Sequence, residues 1–259
     1  MSVVEQVSFV VVIPARYGST RLPGKPLAMI GDKPMIQHVY ERAMLSGASK
    51  VVIATDDPRI EQAVAEFGGD ACMTRDDHVS GSDRLAEVCE SLGFAESDIV
   101  VNVQGDEPFI SPENISQVAL NLAKHSDCVM STLSTPILDD EEVFNSNVVK
   151  VVSSLEGKAL YFSRAPIPWQ RGAFEKKQVS SSEFCQRHIG IYGYRAGFLA
   201  EYVKLPPAAI EQLESLEQLR VLANGHHIHV EEAQEVPGLG VDTEEDLQAA
   251  NLYYRQHQL

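Results

Sequence analysis

The chain is short of what several classes of protein require. Its 259 residues include only four cysteines, Cys72, Cys89, Cys128 and Cys185, with no Cys-x-x-Cys pair and no His/Cys cluster of zinc spacing. Neither a disulfide scaffold nor a structural zinc site is expected, and the thiols read as reduced and mostly packed in the core. No apolar run approaches the roughly 20 residues that span a bilayer, and the short run at 9–13 lacks signal-peptide flanks. The expectation is a soluble, cytoplasmic protein with no membrane partner. Basic residues are scarce, 21 against 37 acidic ones, and a formal charge of −16 makes nucleic acid a poor partner. What is there is ordinary: 44% hydrophobic and 22% charged residues, ample for the core of one large domain.

The run at 9–13 is unbroken and rich in β-branched residues, which suits a central parallel strand covered on both faces. Met35, Ile36, Val39, Tyr40, Ala43 and Met44 then share a helical stripe that ends at Gly47. The alternation continues through a strand at 50–55, a helix opened by Asp57 and Pro58, and a strand at 70–74. A helix through Leu85 and Val88 stops at Gly93, and after a strand at 98–103 another helix opens at Ser111 and Pro112. This order predicts an α/β fold with a mostly parallel sheet flanked by helices. From about residue 127 it loosens into strands at 128–133, 148–152 and 159–163 and a polar stretch at 170–183. These are read as an inserted lobe, at about 127–187, of a single domain covering 1–259. A strand at 189–194, a long helix at 208–223, a strand at 228–231 and a last helix capped at Thr243 complete the chain.

Between Gln6 and Gly31 there is no acidic residue, yet Arg16, Arg21 and Lys25 lie there with Gly18 and Gly24. The segment follows the first strand, where open α/β sheets hold ligands, and its arginines and closely approachable backbone suit phosphate oxygens. A basic surface loop with structural glycines is the competing reading. The spacing fits neither the P-loop nor the dinucleotide fingerprint. Asp106 ends the strand at 98–103 in the run NVQGDEP, with Gly105 permitting a turn, and its carboxylate would suit a hard cation such as Mg²⁺ with one distant partner. Asp242, just before the last helix, is that partner or a capping or pre-cap aspartate.

Glu214, Glu217 and Gln218 fall on one face of the helix at 208–223, a binding face or a solvated one. His188, Gly190, Tyr192 and Tyr194 alternate along a strand; glycine beside polar aromatics opens room for a sugar, and the alternative is a satisfied core. His226, His227 and His229 have no nearby carboxylate of matching spacing, which argues against a metal tract. No nucleophile elbow or Cys/His pair supports covalent catalysis.

The run 13–27, IPARYGSTRLPGKPL, closely resembles the signature of the 3-deoxy-manno-octulosonate cytidylyltransferase (CMP-Kdo synthetase) family. It is joined in order by MIQHVYER at 35–42, ATDD at 54–57, SGSDRLAE at 80–87, NVQGDEP at 102–108, ALYFSRA at 159–165, RHIGIYGYR at 187–195, LEQLR at 216–220 and VDT at 241–243. Ser82 and Asp83 stand where the family commonly has Thr and Glu, and the loop at 223–227 is richer in His than expected. The resemblance implies a Rossmann-like sugar-nucleotidyltransferase fold with a dimerisation lobe, a homodimer, and activation of the acid sugar Kdo by CTP, with Mg²⁺, for lipopolysaccharide biosynthesis. Carried over by motif, Arg16, Ser19, Arg21 and Lys25 hold the triphosphate and Ser80, Gly81 and Ser82 line the cytosine pocket. Asp106 and Asp242 bind Mg²⁺, and Gln104, Arg164, His188, Tyr192, Glu217 and Gln218 face Kdo. Relatives using 8-amino-Kdo or sialic acid, and glycosyltransferases of related fold, are the neighbouring alternatives; no Asp-x-Asp favours the latter.

Overall fold

A computed structural model describes residues 7–19, 21–78, 80–176, 178–179 and 184–257. Thr20 of the first loop, and residues 177 and 180–183 of the polar stretch, lie outside the described residues. The strands are β1 (Phe9–Ala15), β2 (Met29–Ile30), β3 (Lys33–Pro34), β4 (Lys50–Thr55), β5 (Ala71–Met73), β6 (Ile99–Asn102), β7 (Met130–Pro136), β8 (Lys150–Ser153), β9 (Ala159–Ser163), β10 (Gln186–Arg195) and β11 (Ile228–Glu232). The helices are α1 (Met35–Leu45), α2 (Pro58–Glu66), α3 (Gly81–Leu92), α4 (Pro112–Lys124), α5 (Asp140–Phe144), α6 (Ala196–Tyr202), α7 (Ala209–Glu214), α8 (Gln218–Ala223) and α9 (Glu244–His257).

The main sheet runs β11-β7-β10-β6-β1-β4-β5, with β8 added to β10 and β9 to β8. Along that main path β10 alone runs antiparallel to its neighbours β6 and β7; the other pairs are parallel. The unbroken apolar run in β1 has a direct cause. Val11 and Ile13 pack with Ile36, Val39, Ile60, Ile115 and Val118 on one face, while Val10 and Val12 pack with Leu85, Val88 and Phe198 on the other. A strand wetted on neither side needs no polar alternation.

Local chemistry sets the helix ends. Asp57 accepts from the Arg59 amide at 2.9 Å with Pro58 in the first turn, and Ser111 accepts from the Glu113 amide at 3.1 Å ahead of α4. Ser80 and Asp83 form a capping box on α3, and Gly93 ends it at φ 68°.

One expectation needs correction. The long helix at 208–223 is broken: α7 stops at Ser215, the non-glycine residue with positive φ (52°) among those described, and α8 starts at Gln218. The cause is a tertiary pair. Arg220 donates through Nε and Nη2 to the Glu211 carboxylate at 2.6–3.1 Å, whereas nine positions of continuous helix would separate the two by about 13 Å. Glu214 and Glu217 therefore do not share a helical face. β7 is a strand of the main sheet, and the segment between it and β10 carries α5, β8 and β9.

Candidate active site

The loops after β1 and β6 meet at the carboxyl edge of the sheet. From β1 the chain crosses by α1 to β4 on one side, while from β6 it crosses by α4 to β7 on the other, and the crevice between such diverging connections is where α/β sheets hold ligands. Gly105 allows the two loops to approach: a Cβ there would stand 2.8 Å from the Pro14 carbonyl oxygen. Its role is close backbone contact, not a left-handed turn. Gly24 does adopt φ 67°, with the Tyr17 ring against it, and the Arg59 guanidinium lies over that ring at 3.3 Å from its centroid.

The first loop's cations are already engaged. Lys25 Nζ donates to Asp106 Oδ2 at 2.6 Å and to Asp242 Oδ1 at 3.0 Å, and Arg21 Nη2 lies 3.0 Å from Asp242 Oδ1. Burial alone would lower the Lys25 ammonium, but Asp106 and then Asp242 outweigh it and hold it above its ordinary value. The two aspartates singled out in the sequence are thus brought together across more than half the chain. Asp242 is not the cap of α9: Thr243 accepts from the Asp246 amide, and Asp246 accepts from the Asp242 and Thr243 amides. The Val241 amide donates to the Asp106 carbonyl at 2.9 Å, fixing the segment beside the β6 loop. Arg16 reaches instead to the His78 carbonyl at 2.7 Å, and Ser19 accepts from the Leu22 amide at 3.3 Å, shaping the loop itself.

Among the described residues no three His, Cys, Asp or Glu side chains converge as metal ligands, so the donor set here is two carboxylates. That set suits Mg²⁺, which keeps water and phosphate in most of its shell, and the Lys25 ammonium already shows that both carboxylates can share one cation.

A second cluster lies along β6 and β10. The register sets Tyr192 opposite Asn102, four residues before Asp106. His188, Tyr192 and Tyr194 follow one another with ring centroids 5.4 and 6.0 Å apart, and a Cβ on Gly190 would meet nothing within 4 Å, so the space at that glycine is open. The Ser82 hydroxyl at the start of α3 lies 3.3 Å from the Tyr194 hydroxyl and donates to Glu217 Oε2 at 3.4 Å. Burial pushes the Glu217 carboxyl up, opposed by the Ser82 hydrogen bond. Burial also raises both tyrosines well above the ordinary phenol value and lowers the His188 imidazole to about 3. His188 Nε2 lies 3.0 Å from Thr132 Oγ1. Gln218 is buried with Nε2 lacking a hydrogen-bond partner among the described residues, and so are Asn102 Nδ2 and Oδ1. Unspent buried donors and acceptors of this kind point to a ligand or to ordered water.

Some expected residues are placed less directly. Gln104 sits half-buried in the loop after β6. Arg164 is tied to backbone: Nε donates to the Glu214 carbonyl at 2.6 Å and Nη1 to the Ser146 carbonyl at 3.0 Å. Glu214 turns away from Glu217 and accepts from the Ser163 hydroxyl and the Arg164 amide. Asn102 and Glu107 were not among the sequence candidates. Burial and the neighbouring Asp106 push the Glu107 carboxyl up to about 7, against the pull of Arg187. The one legible signal for Asn102 was an amide ending a strand otherwise made of Ile and Val.

A family model described as cytidylyltransferase matches residues 10–228. The 3-deoxy-manno-octulosonate cytidylyltransferase of Idiomarina loihiensis is 60% identical over 245 residues, which cover 94% of this chain and 97% of that protein. The chain belongs to the 3-deoxy-manno-octulosonate cytidylyltransferase family. The Aeromonas hydrophila member is 61% identical over 244 residues, 93% of this chain and 96% of its own length. A solved structure of CMP:2-keto-3-deoxy-manno-octonic acid synthetase complexed with CTP superposes with a TM-score of 0.87 at 46% identity, covering 96% of this chain and 99% of that one. The cytidylyltransferase fold expected from the motifs is therefore the fold observed.

Proposed function

We propose that this cytidylyltransferase joins CTP to 3-deoxy-D-manno-octulosonate, giving CMP-Kdo and pyrophosphate for lipopolysaccharide biosynthesis in the cytoplasm. The observation that carries the reading is the convergence of Asp106 and Asp242 on Lys25 at the edge of the cationic first loop. In the proposed reaction the anomeric hydroxyl oxygen of the sugar bonds to the α-phosphorus as the bond to the pyrophosphate oxygen breaks, and the hydroxyl proton is released. Positioning and charge neutralisation dominate such transfers.

Arg16, Arg21 and Lys25 would hold triphosphate oxygens, with Ser19 shaping their loop, and Arg21 and Lys25 would offset charge on the departing pyrophosphate. Asp106 and Asp242 would hold Mg²⁺, which supplies Lewis acidity toward the phosphate oxygens and the attacking hydroxyl. Ser80, Gly81 and Ser82, at the start of α3, would line the base pocket. Arg164 would meet the sugar's carboxylate, while neutral His188, Tyr192, Gln104, Glu217 and Gln218 would hydrogen-bond its hydroxyls; the unpartnered Gln218 amide supports this. Leu160, Trp169 and Phe184 stand exposed on the excursion between β7 and β10, which supports a homodimer formed through that lobe. Light scattering that reads a single chain's mass contradicts the dimer.

The test is pyrophosphate release with each nucleoside triphosphate crossed against Kdo, 8-amino-Kdo and sialic acid, with and without Mg²⁺. The expected result is a requirement for CTP, Kdo and Mg²⁺ together, and a loss of at least about 100-fold in Asp106→Ala with the circular dichroism spectrum unchanged. Preference for another triphosphate, or a strict need for sialic acid, overturns the assignment.

A further inference from the structure

Lys150 opens β8 and is fully buried, yet no carboxylate lies within ion-pair distance of it among the described residues. Its ammonium is held by three backbone carbonyls instead: Asn145 at 2.8 Å, Val148 at 2.5 Å and Arg164 at 2.7 Å. The three bonds match the three donors of an ammonium, so its hydrogen-bonding capacity is met with no carboxylate in contact, and the Glu214 carboxylate acts on its charge only from further off. Burying such a charge is costly, and an apolar side chain of similar length would fill the space with less penalty. Burial accordingly draws the ammonium below the ordinary lysine value.

What the lysine fastens gives its role. Two of its acceptors belong to the turn at 145–148, and the third is the carbonyl of Arg164 itself. The Arg164 guanidinium bonds to Ser146 in that same turn, while its Nε and backbone amide bond to Glu214. Lys150 therefore ties the turn that receives the arginine's head to the backbone from which the arginine springs. The register also sets it beside the neighbours of two residues assigned to the sugar: Lys150 pairs with Ser163, the last residue of β9 before Arg164, and with Arg187 on β10, next to His188.

We propose that Lys150 is a positioning residue for Arg164 and, through it, a determinant of selectivity for an acidic sugar. The inference rests on the reading above that Arg164 meets the carboxylate of that sugar. A charge held by carbonyl dipoles, with no carboxylate in contact, adds to the attraction for an anion near the arginine, and it does so without competing for it. Lys150 itself has no donor left for substrate.

The experiment measures KM for Kdo and for CTP separately, with kcat, in Lys150→Met, Arg164→Ala and the double variant. Lys150→Met is expected to raise the Kdo KM at least about tenfold while the CTP KM stays within about twofold, and the effect is expected to vanish in the Arg164→Ala background. Equal rises in both KM values, as a general loss of structure would give, overturn the proposal. So does a Lys150→Met effect that persists undiminished without the arginine. Lys150→Gln keeps donors for two of the carbonyls but not the charge, and carries the same test if the methionine variant does not fold. An Arg164→Ala enzyme with unchanged Kdo KM removes the reading on which the proposal rests. A raised Kdo KM in Arg164→Ala with no change in either Lys150 variant removes the proposal alone.

Discussion

His188 illustrates how burial fixes the chemistry a side chain can offer. Its ring lies between Phe162 and Tyr192 and its Nε2 meets the Thr132 hydroxyl, so the imidazole stays neutral where a free histidine would charge. The ordinary value of 6.5 falls to about 3 in the folded protein, so between these values the unfolded chain binds a proton that the native chain refuses. Stability from this group is complete above pH 6.5 and drains as pH falls toward 3, at up to about 1.4 kcal/mol per pH unit. Urea titrations across that window should be flatter for His188→Gln than for the parent, and the ring's NMR shifts should hold their neutral values to pH 5. An ordinary midpoint near 6.5 contradicts the account. At this scale the sequence was informative where chemistry is local. Asp106 and Asp242 were legible because each lies in the turn after a strand or before a helix, with a glycine one or two positions ahead of it. Lys150 was not, because what it bonds to is backbone, and no residue type advertises a carbonyl; Arg164 entered only through the family motif, its backbone partners being equally silent in the sequence.

At the scale of elements, the strands and helices up to α4, the two-residue strands β2 and β3 aside, follow from apolar period and capping residues, with Met44 straying from its stripe to the surface. The break at Ser215 was not visible, since 208–223 reads as good helix throughout and the deciding contact is the tertiary pair of Glu211 with Arg220. That break sends Glu214 to Arg164 and Glu217 to Ser82, dividing two carboxylates between two tasks. A serine held at φ 52° bears a cost of about 1–2 kcal/mol that glycine would not. Ser215→Gly should therefore be at least as stable as the parent in urea and keep its Kdo KM. Ser215→Val should lose a further 1 kcal/mol or so and raise that KM, because a β-branched residue resists this conformation. A valine variant matching the parent in both would show the kink to be unimportant.

Across the whole molecule the charge is lopsided: a body at −16 keeps an acid-free first loop whose Lys25 and Arg21 rest on two aspartates. An anionic nucleotide approaching such a body is repelled except at this edge, which makes location the most exposed part of the account. The pairing of β7 with β10 and β11 was not legible, because those strands are distant in sequence and no local pattern reports its partners. The most direct test is a crystal structure of the protein grown with CTP and Mg²⁺. The expected result sets the triphosphate against Arg16, Arg21 and Lys25, with a cation bound by Asp106 and Asp242. Nucleotide density away from residues 16–25, or a cation held by other side chains, would contradict it.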